Sequence, residues 1–287
     1  MKIEKVLIIG AGTMGRGIAQ WFAQQEIETE LIDHVFEMAQ KSQKLIHESW
    51  EKLQTKGKFE VDQINRFKNN LHISSVEEHC TDADLVIEAI IEDKKIKEEL
   101  FLKLDKHMKA QCILASNTSS IPITSIARNL SEDRKKQTLG LHFFNPATIM
   151  KLVEVIETPW SDEVLTRSLY EFFETKGKKP AVCKDSPGFI VNRVARNFYG
   201  ESFHILGSLN EDRVREIDEV MKEVGGFRMG PFTLMDLIGI DVNYSVTQSV
   251  WESYYFEPRF RPHKIQREMV ESGRIGKKST QGFYKYE

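Results

Sequence analysis

Three sets of residues in this 287-residue chain have types and spacings that could do chemistry. Gly10-Ala11-Gly12-Thr13-Met14-Gly15 fits G-x-G-x-x-G, and Gly17 follows. In such a motif the first glycine permits a tight turn, the second lets the backbone approach a pyrophosphate, and the third lets helix and strand pack closely. The helix that opens there turns free N–H groups and the positive end of its dipole toward the phosphates. The motif carries weight because an apolar strand enters it and an amphipathic helix leaves it. Without those flanks it would read as a glycine-rich turn. Asp33 lies at about the distance where an acid accepts hydrogen bonds from the adenosine ribose hydroxyls. Its charge would repel a 2′-phosphate, and neither Arg nor Lys adjoins it, so the sequence predicts NAD rather than NADP.

A dinucleotide site names a cofactor and not a reaction. Hydride transfer from an alcohol also needs a base to take the hydroxyl proton, and histidine titrates near neutrality. Of eight histidines, His142 is the best placed. It sits in Leu139-Gly140-Leu141-His142-Phe143-Phe144, just before Asn145-Pro146, and ligands collect at strand ends in parallel sheets. Glu154 lies inside the next apolar run, Leu152-Val153-Glu154-Val155-Ile156, where a carboxylate needs a partner. If the two strands are neighbours, Glu154 can accept the proton on the far imidazole nitrogen, fix the tautomer and stabilise the imidazolium. Taken singly, His142 reads equally well as a satisfied core histidine and Glu154 as half of a structural ion pair. The third set, Ala115-Ser116-Asn117-Thr118-Ser119-Ser120, leaves a strand with hydroxyls and an amide that can bind a substrate oxygen. It reads equally well as a capping loop before Pro122.

The elements that must position these groups alternate in type. Val6–Ile9 is a strand, residues 13–25 have helical spacing (Met14, Ile18, Phe22), and Glu30–Asp33 is a second strand. Val35–Lys68 reads as an amphipathic helix or helix pair through Met38, Leu45, Ile46, Trp50 and Leu53. Strands are predicted at Leu71–Ser74, Asp84–Ile90, Cys112–Ala115, Thr138–Phe144 and Leu152–Ile156, with a helix at Lys94–Met108. Strands separated by helices predict a doubly wound parallel sheet covered on both faces, an α/β Rossmann-type domain. Near Asp185 the pattern changes. Ser186-Pro187-Gly188 can open a helix with Ser186 as N-cap and Pro187 in the first position, and Val191, Val194, Ala195, Phe198, Ser202, Ile205 and Leu206 mark one helical face. The expected domains are 1–185, α/β and NAD-binding, and 186–287, all-α.

Composition narrows the class. A net charge of −3 gives no reason to expect nucleic acid or an anionic membrane as partner. No apolar run approaches the roughly 20 residues that cross a bilayer. Val6–Ile9 is too short for the core of an export signal and lacks a small-residue cleavage site. Cys80, Cys112 and Cys183 are odd in number and lack CxxC spacing, which favours a reducing compartment without disulfide or structural metal. Cytoplasm is the expectation.

Together these residues resemble the 3-hydroxyacyl-CoA dehydrogenase family, including the bacterial 3-hydroxybutyryl-CoA dehydrogenases. The stretches that carry the resemblance are Gly10–Ala19, Ala115–Ser120, Leu141–Pro146 with Met150–Ile156, Lys184–Arg193, Gly230–Asp241, Gly273–Lys278 and Gly282–Tyr284. They span essentially the whole chain. The resemblance implies His142 as catalytic acid/base with Glu154 as its partner, and Ser119 and Asn192 as ligands of the substrate oxygens. It implies Glu92, Lys97, Asn145 and Lys277 near the NAD, beside Gly10, Gly12, Thr13, Met14, Gly15 and Asp33. Ser49 and Lys56 match positions that touch coenzyme A, although Lys56 also reads as a charge on a solvated helix. The implied reaction is oxidation of an (S)-3-hydroxyacyl-CoA to the 3-ketoacyl-CoA, or its reverse, on a short chain. The helical domain is implied to serve the substrate cleft and to form a homodimer.

Two segments depart from the family pattern: Ala147-Thr148-Ile149 after Asn145-Pro146, and Ser279-Thr280-Gln281 before Gly282. Both lie in loops implied to be near cofactor or substrate. Two other readings compete. One is an NAD dehydrogenase of a free hydroxy acid such as L-gulonate or carnitine, which would share the glycine motif and much of the His–Glu motif. The other is a non-catalytic NAD-binding protein, whose mark would be loss of the base or its partner.

Overall fold

In β1 (Lys5–Ile9), Val6 and Ile8 join one apolar cluster and Leu7 and Ile9 another. Successive strand residues point to opposite faces, so a strand apolar throughout must be covered on both sides. The computed structural model, which describes residues 2–76 and 80–287, has that arrangement. After β1 come α1 (Thr13–Gln24), β2 (Glu28–Ile32), α2 (Phe36–Thr55), α3 (Val61–Asn69), β3 (Leu71–Ser74), β4 (Leu85–Glu88) and α4 (Lys94–His107). Then follow β5 (Ile113–Ser116), α5 (Ile123–Ala127), α6 (Glu132–Lys136), β6 (Thr138–Phe143), β7 (Leu152–Glu157), α7 (Glu163–Thr175) and β8 (Lys179–Lys184). The strands form one sheet in the order β3-β2-β1-β4-β5-β6-β7-β8. The order reverses beside β1, at the crevice where doubly wound sheets bind ligands. The long charged stretch after Asp33 is the helix pair α2–α3.

The sheet departs from an all-parallel arrangement at one side. β6 and β7 pair antiparallel, Gly140↔Ile156 through Phe143↔Val153, and β8 runs parallel to β7. The physical reason is the short connection, residues 144–151. A parallel pair needs a crossover of about a dozen residues or more, whereas an antiparallel pair needs only a turn. β8 is an additional strand on the sheet's edge, where Pro180 costs no interior hydrogen bond.

The chain divides into two compact units between Ser186 and Pro187. The second contains α8 (Val191–Leu206), α9 (Glu211–Glu223), α10 (Pro231–Ile238), α11 (Ile240–Ser253) and α12 (Lys264–Glu271), with 3-10 turns at Pro258–Phe260 and Lys277–Ser279. Tyr199, Phe203, Phe232, Met235, Ile265 and Met269 form its core. Asp236 accepts hydrogen bonds from the N–H groups of Phe283 and Tyr284 and from the Tyr286 hydroxyl, tying the C-terminal segment to α10. The first helix begins later than Ser186-Pro187 predicts. Gly188 and Phe189 have φ of +75° and +48°, values incompatible with a right-handed helix, and α8 starts only at Val191. No helix among the described residues is long and apolar enough to cross a membrane.

Candidate active site

The glycine turn closes β1 and opens α1. Gly10 has φ +105°, and a Cβ on Gly15 would sit 1.7 Å from the Gly10 carbonyl oxygen, so both positions exclude any side chain. At Gly12 a Cβ would meet nothing within 4 Å, which leaves open space above the backbone for a bulky anion. Thr13 is exposed and Met14 half-buried beside it. Asp33, one residue past β2, is fixed by the turn it faces. One carboxylate oxygen accepts from the Ala11 N–H at 2.7 Å and the other from Val35 N–H at 3.0 Å. The Ser42 hydroxyl of α2 donates to the Ala11 carbonyl at 2.6 Å. The turn, the acid and the open approach fit a dinucleotide.

On the other side of β4, the antiparallel register sets His142 directly opposite Glu154, so both side chains share one face. His142 Nδ1 lies 2.6 Å from a Glu154 oxygen, and Glu154 is fully buried. An ionised carboxylate only accepts, so Nδ1 carries the bonding hydrogen and the second nitrogen, Nε2, faces Ser119 Oγ at 3.1 Å. The segment leaving β5 thus meets the end of β6. Asn117 secures the approach by accepting from the Phe143 N–H at 2.8 Å.

Ser119 is held from behind. A single Glu92 oxygen accepts from Thr118 Oγ1 at 2.5 Å, Ser119 N–H at 3.1 Å and Ser120 Oγ at 3.0 Å. Its other oxygen lies 3.2 Å from Lys97 Nζ. Burial pushes the Glu92 carboxyl up, but the Lys97 charge and the hydroxyl donors outweigh it and hold the group below the usual carboxylate range. The Lys97 ammonium is buried between Glu92 and Glu88.

Lys178, which the sequence pattern does not single out, is buried just before β8. Its ammonium donates to the carbonyls of Ala147 and Met150 in the connection after His142, and lies 4.7 Å from the Trp21 ring centroid. Burial pulls its pKa down to about 8.

The structure therefore brings His142, Glu154, Ser119, Glu92 and Lys97 into one hydrogen-bonded set, and through the Ala11 N–H ties Asp33 to the turn that carries Gly10, Gly12 and Gly15. Asn145 is exposed in the connection after β6. Ser49 lies on α2, where its hydroxyl accepts from Gln20 Nε2 at 3.2 Å, and Lys56 is exposed at the C-terminal end of that helix. Asn192 is half-buried in the first turn of α8, and Lys277 is exposed at the second 3-10 turn, both within the second unit. Among the described residues no cluster of His, Cys, Asp and Glu could hold a metal ion.

Residues 5–186 match the NAD binding domain of 3-hydroxyacyl-CoA dehydrogenase, and residues 188–286 match that enzyme's C-terminal domain. The chain belongs to the 3-hydroxyacyl-CoA dehydrogenase family. It is an NAD-dependent oxidoreductase of that family. It is 39% identical over 293 residues to the mitochondrial hydroxyacyl-coenzyme A dehydrogenase of Sus scrofa, covering 99% of this chain and 91% of the relative. It is 38% identical over 280 residues to a probable 3-hydroxybutyryl-CoA dehydrogenase of Deinococcus radiodurans, covering 97% and 99% of the two chains. Its fold matches the crystal structure of 3-hydroxybutyryl-CoA dehydrogenase from Escherichia coli K12 with a TM-score of 0.94 at 39% identity. That match covers all of this chain and 60% of the solved one.

Proposed function

We propose that this 3-hydroxyacyl-CoA dehydrogenase interconverts a short (S)-3-hydroxyacyl-CoA and its 3-ketoacyl-CoA, of the 3-hydroxybutyryl/acetoacetyl type, with His142 as acid/base and Glu154 as its partner. The observation that carries the reading is the continuous contact from Ser119 Oγ to His142 Nε2 and from Nδ1 to Glu154. Bound NAD supplies the hydride acceptor at its nicotinamide. In oxidation, Nε2 takes the proton of the 3-hydroxyl as the carbonyl forms. Glu154 holds the ring in the tautomer that lets Nε2 accept, and its charge offsets the charge the ring acquires. Ser119, shared between Nε2 and the reacting oxygen, orients that oxygen. In reduction the same proton returns.

The resemblance alone assigns Asn192 to a substrate oxygen, Asn145 and Lys277 to the cofactor's surroundings, and Ser49 and Lys56 to coenzyme A. A homodimer formed through the helical unit, a cytoplasmic location and a place in fatty acid β-oxidation complete the proposal. The names of the relatives, hydroxyacyl- and 3-hydroxybutyryl-CoA dehydrogenases, favour acyl-CoA over a free hydroxy acid.

The test is NADH oxidation by the purified protein with acetoacetyl-CoA, set beside NAD reduction with L-gulonate, carnitine and free 3-hydroxybutyrate. Turnover of acetoacetyl-CoA far above that of the free acids is expected. The reverse ranking would replace the acyl-CoA assignment with the free-acid one.

A further inference from the structure

We propose that Glu88 is a positioning residue for the reaction: it sets Ser119 against His142 from the far side of β5, without touching either. The inference rests on the acid–base reading above. Glu88 ends β4 and is fully buried. One oxygen accepts from Ser116 Oγ at 2.5 Å, its register partner on β5. The other accepts from Lys97 Nζ at 2.5 Å and from Ile90 N–H at 2.8 Å.

Two routes run from this carboxylate to the same short segment. Along β5, Ser116 Oγ accepts from the Thr118 N–H at 3.2 Å. Through α4, Lys97 passes the hold to Glu92, which grips Thr118, Ser119 and Ser120. The routes close a ring that includes the backbone of Ser119. A loop of small polar residues held from one end could pivot. Held from both ends by one carboxylate, its direction is set, and Ser119 Oγ is left 3.1 Å from Nε2.

Stability is a poor explanation for this arrangement. Taking a carboxylate and an ammonium out of water carries a desolvation cost that their mutual attraction does not always repay, and packed apolar side chains commonly do as well or better. Lys97 is 1% exposed on its side chain and Glu88 0%, so both stand where apolar residues would ordinarily pack: Lys97 is buried on the same helix as Phe101 and Leu104, and Glu88 follows the buried Leu85, Val86 and Ile87. What apolar residues could not supply is a pair of charged anchors for the hydroxyl and N–H groups of residues 116–120. Errors of about 1 Å in the placement of a catalytic group lower rates by as much as about 100-fold.

The experiment compares wild type, Glu88→Gln, Ser119→Ala and the double variant in acetoacetyl-CoA reduction by NADH, with circular dichroism and NADH fluorescence as checks on fold and binding. The Glu88→Gln amide keeps the shape and one acceptor but loses the charge opposite Lys97. The expected result is a folded, NADH-binding Glu88→Gln with kcat lowered about 10- to 100-fold and KM for acetoacetyl-CoA changed by less than about threefold. The double variant should be no slower than Ser119→Ala, because two residues that act through one contact are not additive. A crystal structure of Glu88→Gln should show Ser119 Oγ displaced from Nε2, a readout that does not depend on turnover. Should Glu88→Gln fail to fold, Ser116→Ala removes one route without a buried charge and is expected to be non-additive with Ser119→Ala in the same way. Wild-type kcat in the Glu88 or Ser116 variants, or losses that multiply with Ser119→Ala, would overturn the proposal. Absence of wild-type turnover on acetoacetyl-CoA would instead overturn the substrate reading, while the crystal structure still decides the placement of Ser119.

Discussion

His142 and Glu154 face one another across the antiparallel β6–β7 pair, with Nδ1 2.6 Å from the carboxylate in an interior where Glu154 has no exposure. The imidazole is thereby fixed at one nitrogen and presents the other, Nε2, to Ser119.

General acid–base catalysis contributes about 10²–10⁴ in rate, so His142→Gln should lower kcat by that factor while NADH still binds through the untouched glycine turn. Glu154→Gln preserves the shape but removes the charge opposite the ring. It should lower kcat and alter its pH dependence. Steady-state rates across pH, with NADH fluorescence titration as a control, check both. A folded His142→Gln with wild-type kcat would exclude the acid–base role.

Asp33 uses both carboxylate oxygens on backbone N–H groups of Ala11 and Val35. Asparagine has only one accepting atom, so Asp33→Asn must set an amide donor against one of those N–H groups as well as lose the charge. The wild type should prefer NADH to NADPH in kcat/KM. Asp33→Asn should narrow that preference and weaken NADH binding. Equal use of the two cofactors by the wild type would contradict the ribose assignment.

Lys56, exposed at the end of α2, is expected to meet the phosphates of coenzyme A. Lys56→Ala should raise KM for acetoacetyl-CoA and leave kcat nearly unchanged, the pattern of lost uniform binding. An unchanged KM would remove Lys56 from the coenzyme A site and leave it a solvated charge.

Lys178 gives a pH signature with a defined sign. Its ammonium is stabilised by two carbonyls and an aromatic face, but burial dominates and its folded pKa is about 8. An unfolded lysine titrates near 10.4. Between those values the unfolded chain binds the proton and the native state does not, so this group's contribution to stability rises with pH across the window. The cost is present in full below about pH 8. Lys178→Met has no ammonium to desolvate. The stability of wild type minus that of Lys178→Met, from urea unfolding, should therefore increase from about pH 8 toward about pH 10.4. A flat or falling difference would show that the ammonium is not desolvated.

Much of the site is legible in the chain because buried strands are chemically monotonous. A single ionisable residue among Leu, Val, Ile and Phe stands out, as His142 and Glu154 do in consecutive apolar runs. Glu88 gives the same signal in Leu85-Val86-Ile87-Glu88, but its partners arrive from Ser116 and Lys97, and no local pattern connects them. Lys178 is less visible still, since a lysine in Lys176-Gly177-Lys178-Lys179 looks like any solvated turn; only the packing of Trp21 and of the 144–151 connection buries it. β8 hides for a related reason: Lys179-Pro180-Ala181-Val182-Cys183-Lys184 alternates poorly, and an edge strand has no second neighbour to demand it. The delayed start of α8 depends on the left-handed Phe189, a conformation that a Ser-Pro-Gly cap signal does not anticipate.

The antiparallel pairing of β6 with β7 also bears on how such a protein can diversify. Sliding one of these strands by a single position would carry its side chains to the opposite face of the sheet, separating His142 from Glu154. The connection at residues 144–151 is thus open to exchange of residue types at exposed positions such as Ile149 and Met150, whereas insertions and deletions must leave the hairpin in step. Swapping this connection among relatives should yield chimeras that differ in preferred acyl chain while retaining the same proton-transfer pair, provided each graft keeps the strands aligned.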